Sequence, residues 1–144
     1  MNPDELITSN GPGSSEHEHL FTVESANQAL VLVRQVVEDI VLCYQRVTSL
    51  AERRDQLAGS NAAPKALQTI AAEMDSAAQR LKKLQGELED VGCELKDWSQ
   101  GLVDFPAMRA GKKILLCWKL GEASITHWHE VDSGFGGRKP IDAG

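Results

Sequence analysis

Between Val23 and Ala58 the chain has neither proline nor glycine, and Leu30, Val33, Val37, Ile40, Tyr44, Val47 and Ala51 recur in alternating steps of three and four. Such spacing lines one side of an α-helix with an apolar seam. Thr22 stands where its hydroxyl can accept a free N–H of the first turn, and Glu24 suits the positive end of the helix. The pattern predicts a first helix over residues 22–58, about 54 Å long. Its first half carries more, because Val31, Leu32, Val36, Val41, Leu42 and Cys43 fall outside the seam. A helix that is apolar on several sides has to be covered on several sides. A sheet, a second copy of the chain, or both are therefore expected against it. After Ser49 the run AERRDQLAG turns polar, as suits a hairpin tip in water.

Gly59 to Pro64 reads as a turn, with Gly59 ending one helix and Pro64 suited to the first turn of the next. A second helix is predicted over residues 64–91, its seam running through Leu67, Ile70, Met74, Ala77, Leu81, Leu84, Leu88 and Val91. So short a connection makes the pair antiparallel, which sets the apolar half of helix one beside the Leu-rich end of helix two. Gly92 ends that helix. Residues 93–131 then read as short strands, Cys93–Lys96, Leu102–Phe105, Ile114–Leu120 and Ile125–Val131, with Pro106 to Gly111 looping back. The expected fold is α+β: a long antiparallel helical hairpin with a small antiparallel β-meander of three to four strands packed at its open end.

The polar ends frame this single domain over residues 20–144. Residues 1–19 hold Gly, Pro, Ser, Glu and His with few apolar side chains and are expected as a disordered tail. Residues 132–144 form a Gly-rich tail from which Phe135 and Arg138 can dock onto the sheet.

At 144 residues the chain has room for one ordinary core. A net charge of -6 argues against nucleic-acid backbones and anionic membrane surfaces as partners. No run approaches the roughly 20 apolar residues of a membrane span, and the acidic start MNPDELITSN lacks the apolar stretch of a secretory signal. Cys43, Cys93 and Cys117 make no even disulfide set, so free thiols and a cytoplasmic location are expected.

Specific chemistry concentrates between Cys93 and Arg138, which hold all three tryptophans, two of the cysteines and the pair His127 and His129. Residues two apart on a strand share a face, so the two imidazoles project together while Trp128 and Glu130 face the other way. With a third ligand such a pair suits Zn, Ni, Cu or Fe. Cys117 is the candidate, and the strand register decides. Pairing Leu120 with Ile125 sets Cys117 opposite Trp128, whereas a slip of one residue sets it opposite His129. Both registers stay open. The metal candidates are therefore His127, His129, Glu130 and Cys117.

Asp104, Glu122 and Glu130 could act as general acids or bases, or hold Arg109, Lys119 or Arg138 in ion pairs, the reading preferred here. Cys117 near histidines is a weaker candidate nucleophile. Glu16, His17, Glu18 and His19 offer metal-binding groups on the tail, and Arg109, Lys112 and Lys113 read as a solvated basic loop. Phosphate loops, dinucleotide glycine patterns, HExxH and the hydrolase elbow are absent.

The runs GCELKD, GLVDFPA, LCWKLGE, WHE and GFGGRKP occur in that order. Together they resemble the prokaryotic domain-of-unknown-function family 2203, and the resemblance reaches back to FTVESANQAL, covering Phe21 to Pro140. It implies that Asp104, Cys117, Trp118, Glu122, Trp128, His129, Glu130 and Arg138 occupy landmark positions, and it implies no activity. His127 departs from the pattern, an aromatic residue being usual there. Two function classes fit: a homodimeric interaction or scaffold module that binds a divalent transition metal at its sheet, and a small hydrolase-like metal enzyme using His129 and Glu130.

Overall fold

The computed structural model describes residues 18–61 and 63–141. Among these residues two helices come first, α1 (Val23–Ala58) and α2 (Pro64–Val91), and five strands follow: β1 (Glu94–Asp97), β2 (Leu102–Arg109), β3 (Lys112–Lys119), β4 (His127–Glu130) and β5 (Lys139–Pro140). The sheet is antiparallel throughout, in the order β1-β2-β3-β4-β5. This is the expected α+β hairpin and meander, with one short strand more than the three or four anticipated. Among the described residues no helix is long and apolar enough to cross a membrane.

Local chemistry sets the helix ends. Thr22 Oγ1 accepts the Ser25 N–H at 3.0 Å while Ser25 Oγ accepts the Thr22 N–H at 2.9 Å, a reciprocal cap that satisfies two donors. Pro64 opens α2, and Gly92 closes it in the left-handed region at φ 108°. The seams meet as predicted, with Leu30, Val33, Val37 and Ile40 buried on α1 and Ile70, Ala77, Leu84 and Leu88 on α2.

The sheet lays one face on the hairpin. Val103, Phe105 and Ala107 of β2 alternate inward with Ile114, Leu116 and Trp118 of β3, and all six join the core with Val36 and Val41 of α1. Trp118 and Phe105 are fully buried. The sheet thus covers part of the excess apolar surface on α1, leaving Val31, Leu32 and Leu42 exposed. Contact is close at Gly101, where a Cβ would stand 2.8 Å from Val37 Cγ1 and 2.9 Å from the Leu120 Cβ.

Several strand bounds differ from expectation. β2 continues through Pro106 to Arg109 instead of looping back, and turns tightly at Ala110 and Gly111. Pro106 fits because its carbonyl accepts the Phe21 N–H at 2.7 Å, so that its edge, and the side of its missing N–H, face away from β3 and beyond the end of β1. The Gly-rich segment forms a 3-10 turn at Phe135–Gly137 and then β5. Of the expected tail, residues 1–17 lie outside the described residues, while Glu18 pairs with Lys113 at 2.8 Å and the His19 ring packs edge-on to Phe21.

Candidate metal centre

The outer face of the sheet, turned away from the helices, carries the polar groups. Register puts Asp104 of β2 directly opposite Cys117 of β3, and Cys117 opposite His127 of β4. This is neither of the registers considered from sequence. Leu115 rather than Cys117 faces His129, a slip in the other direction that nonetheless brings Cys117 onto the histidine face. The cause is the seven-residue connection from Leu120 to Thr126, which is pinned from outside: Asn27 Oδ1 accepts the Ile125 N–H at 2.8 Å and Arg34 donates to the Ala123 carbonyl at 2.8 Å. Both anchors come from α1, so strand spacing alone could not fix the register.

On that face Asp104, Cys117 and His129 each offer one ligand atom, and the three atoms lie within 4.8 Å of one another. All three residues are buried. His129 Nε2 stands 3.1 Å from Asp104 Oδ1, and Nδ1 stands 2.8 Å from the Glu130 carbonyl. That carbonyl can only accept, so Nδ1 carries a proton and Nε2 is the atom left to face Asp104 or a metal. A pocket of about 270 Å³ opens onto the three, walled by Leu102, Leu115 and Phe135, with Lys96 at its edge.

Charge is costly here. Burial pushes the Asp104 carboxyl above the usual aspartate range, opposed by His129. Burial first, then the Asp104 carboxylate, push the Cys117 thiol up to about 11, against the pull of the Arg138 guanidinium. An unassisted Cys117 is thus a neutral thiol at pH 7 and a poor nucleophile.

The C-terminal segment roofs this face. Arg138 Nη2 donates to Glu122 Oε2 at 2.7 Å, and its guanidinium lies 4.3 Å from the Phe135 ring centre. Glu122 in turn accepts the Lys119 N–H at 2.9 Å, while its backbone carbonyl accepts from Trp118 Nε1 at 3.0 Å. Burial alone would raise Glu122, but the bonds from Arg138 and Lys119 outweigh it and hold the carboxyl below its ordinary range. Arg138 Nη1 is buried with no hydrogen-bond partner among the described residues.

Of the four sequence candidates, Cys117 and His129 join the cluster. His127 does not, its Nδ1 lying 2.8 Å from Thr126 Oγ1. Glu130 sits on the other face, paired with Lys112 at 3.3 Å and Lys139 at 3.5 Å, and those cations hold its carboxyl below the usual range. Of the ion pairs expected from sequence, Glu122 with Arg138 forms, whereas Glu130 pairs with Lys112 and Lys139, outside the expected set, and Asp104 faces His129. Asp104 is the member that sequence reasoning left out of the ligand set. A charged residue within the apolar run Leu102-Val103-Asp104-Phe105 was the signal that could have found it.

Fold and cluster together define an α+β protein in which a helical hairpin carries a meander with a buried Asp-Cys-His group that could hold a metal. The chain belongs to the family described as Uncharacterized conserved protein (DUF2203), whose model matches residues 19–141. No curated protein and no solved structure matches the chain.

Proposed function

We propose that the protein is a metal-binding module in which Asp104 Oδ, Cys117 Sγ and His129 Nε2 hold one divalent transition ion. The observation that carries this reading is the convergence of three unlike donors within 4.8 Å on one sheet face. Oxygen, thiolate and imidazole suit Zn first, with Ni and Fe as competitors. Two further features support it. The Nδ1 of His129 already spends its proton on a backbone carbonyl, as ligating histidines do. The Nη1 without a partner among the described residues belongs to the guanidinium beside Cys117, for which a metal-bound thiolate would be a stronger acceptor than a neutral thiol. Three protein ligands leave a fourth position toward the pocket, the arrangement of zinc sites that bind water or substrate rather than purely structural ones. A hydrolase-like role for the centre therefore rests on His129 with Asp104 rather than Glu130.

The chain is also proposed to pair with a second copy through α1. Val31, Leu32 and Leu42 are 77%, 56% and 59% exposed on the helix face left bare by the sheet, and apolar surface of this kind commonly marks an interface.

Elemental analysis of untagged protein after exposure to Zn, Ni and Fe tests the first reading. Near one equivalent per chain is expected, lost in Asp104→Asn, Cys117→Ser and His129→Gln. Wild-type protein that retains no metal would overturn it.

A further inference from the structure

A second cavity shares no lining residue with the Asp104-Cys117-His129 group and lies where the start of α1 meets the far end of β2 and β3. It measures about 360 Å³, within the range of small-molecule sites. Its walls are Phe21, Leu116 and Trp128, and its mouth is formed by Leu20, Val23 and Met108, which are 46%, 38% and 50% exposed. Three of the chain's exposed large apolar side chains thus surround one hole. The only charged residue in the lining is Arg109, whose guanidinium lies 4.8 Å from the Trp128 ring centre and has no carboxylate partner among the described residues. Lys139 lies 4.9 Å from the same ring, outside the cavity wall.

An apolar cavity whose rim guanidinium has no carboxylate partner among the described residues matches a molecule that is apolar along its length and anionic at one end. Burial of the apolar part supplies affinity, and a planar fork of donors fits a carboxylate in two places at once. We propose that this cavity binds a small amphipathic carboxylate of the medium-chain fatty-acid class, its chain against Phe21, Leu116 and Trp128 and its carboxylate on Arg109. The fit is one of charge as well as shape, since a neutral or cationic head would leave Arg109 without its counter-charge.

Calorimetric titration of the full chain with hexanoate, octanoate and decanoate tests this, with Trp128 emission as a second readout and Trp128→Phe as its control. Affinity is expected to rise about fourfold per added methylene, from about 0.8 kcal/mol per buried group. Decylamine is expected not to bind, and Arg109→Leu to weaken decanoate about tenfold with an unchanged circular dichroism spectrum. The half-buried Arg109 can be replaced without disturbing the core. Equal binding of decylamine and decanoate, an Arg109→Leu chain that binds as wild type, or no heat at millimolar decanoate would each overturn the proposal. So would Met108→Glu converting a dimer to a monomer while decanoate does nothing, because the cavity would then be filled by a second copy.

Discussion

His129 Nε2 reaches Asp104 Oδ1 at 3.1 Å although the two residues belong to strands separated by β3, and both side chains are almost wholly buried. The contact runs diagonally across the sheet, with Cys117 between them. With Nδ1 donating to the Glu130 carbonyl, Nε2 is the atom that accepts from the Asp104 carboxyl when that carboxyl holds its proton. The contact is displaced when a cation takes its position among the three donors.

Metal addition is therefore expected to stabilise the fold. At a free ion concentration a hundredfold above Kd the gain is about 2.7 kcal/mol, which for a chain of this size raises Tm by about 5–10 °C. Differential scanning fluorimetry reads this directly. Glu130→Gln and His127→Ala should keep the shift, while His129→Gln should lose it. A shift that persists in His129→Gln would assign the ion elsewhere.

The pH dependence of the metal-free protein follows from Asp104. Its carboxyl is raised above 3.8 in the fold, chiefly by burial, so the folded state holds a proton that the unfolded chain releases first. Stability from this group is fully present below the ordinary aspartate range and declines as pH climbs through the raised value. Asp104→Asn removes that decline. Urea melts in EDTA from pH 4 to 8 should show the variant gaining on wild type as pH rises, and a difference constant with pH would contradict the assignment.

Gly101 separates the sheet from α1. Its φ of 75° suits glycine, and a Cβ would press on Val37 and Leu120 below 3.0 Å. Gly101→Ala should cost about 3 kcal/mol, combining left-handed strain with overpacking. Chemical denaturation measures it, and a loss under about 1 kcal/mol would mean that helix and sheet move apart freely.

The β2–β3 turn carries a correctable flaw. Ala110 and Gly111 have φ of 53° and 77°, the positive pair that a two-residue type I′ hairpin requires, and alanine is a poor occupant of the first position. Ala110→Asn should stabilise by about 0.5–1 kcal/mol, seen as a higher midpoint in urea with unchanged slope.

If α1 pairs with a second copy, Leu42→Glu should convert a sedimenting dimer to a monomer with helicity retained. Identical sedimentation of variant and wild type would remove that face as an interface.

The helices were legible because their signals are local. Thr22, Gly59, Pro64 and Gly92 mark ends, and three-four spacing marks faces, whatever the rest of the chain does. The sheet was legible only in outline. Residues Leu102 to Ala107 are buried on both faces, so no alternation distinguishes the Asp104 side from the Val103 side. Pro106 read as a stop because its one tolerable position, an edge beyond the end of β1, depends on where another strand finishes. The β3–β4 register was hidden for the same reason, being set by Asn27 and Arg34 from nearly a hundred residues upstream. Two of the three members of the candidate cluster, Cys117 and His129, were therefore visible as residue types, and its geometry was not.

The three donors share the sheet face turned away from α1 and α2, and every one of them comes from the segment after Gly92. Away from Asn27 and Arg34, which anchor the β3–β4 connection, substitutions along the stalk can thus tune how firmly the molecule holds together without touching what it coordinates. Outside those two anchors, durability and chemistry are separable properties in this chain, open to independent drift or independent redesign.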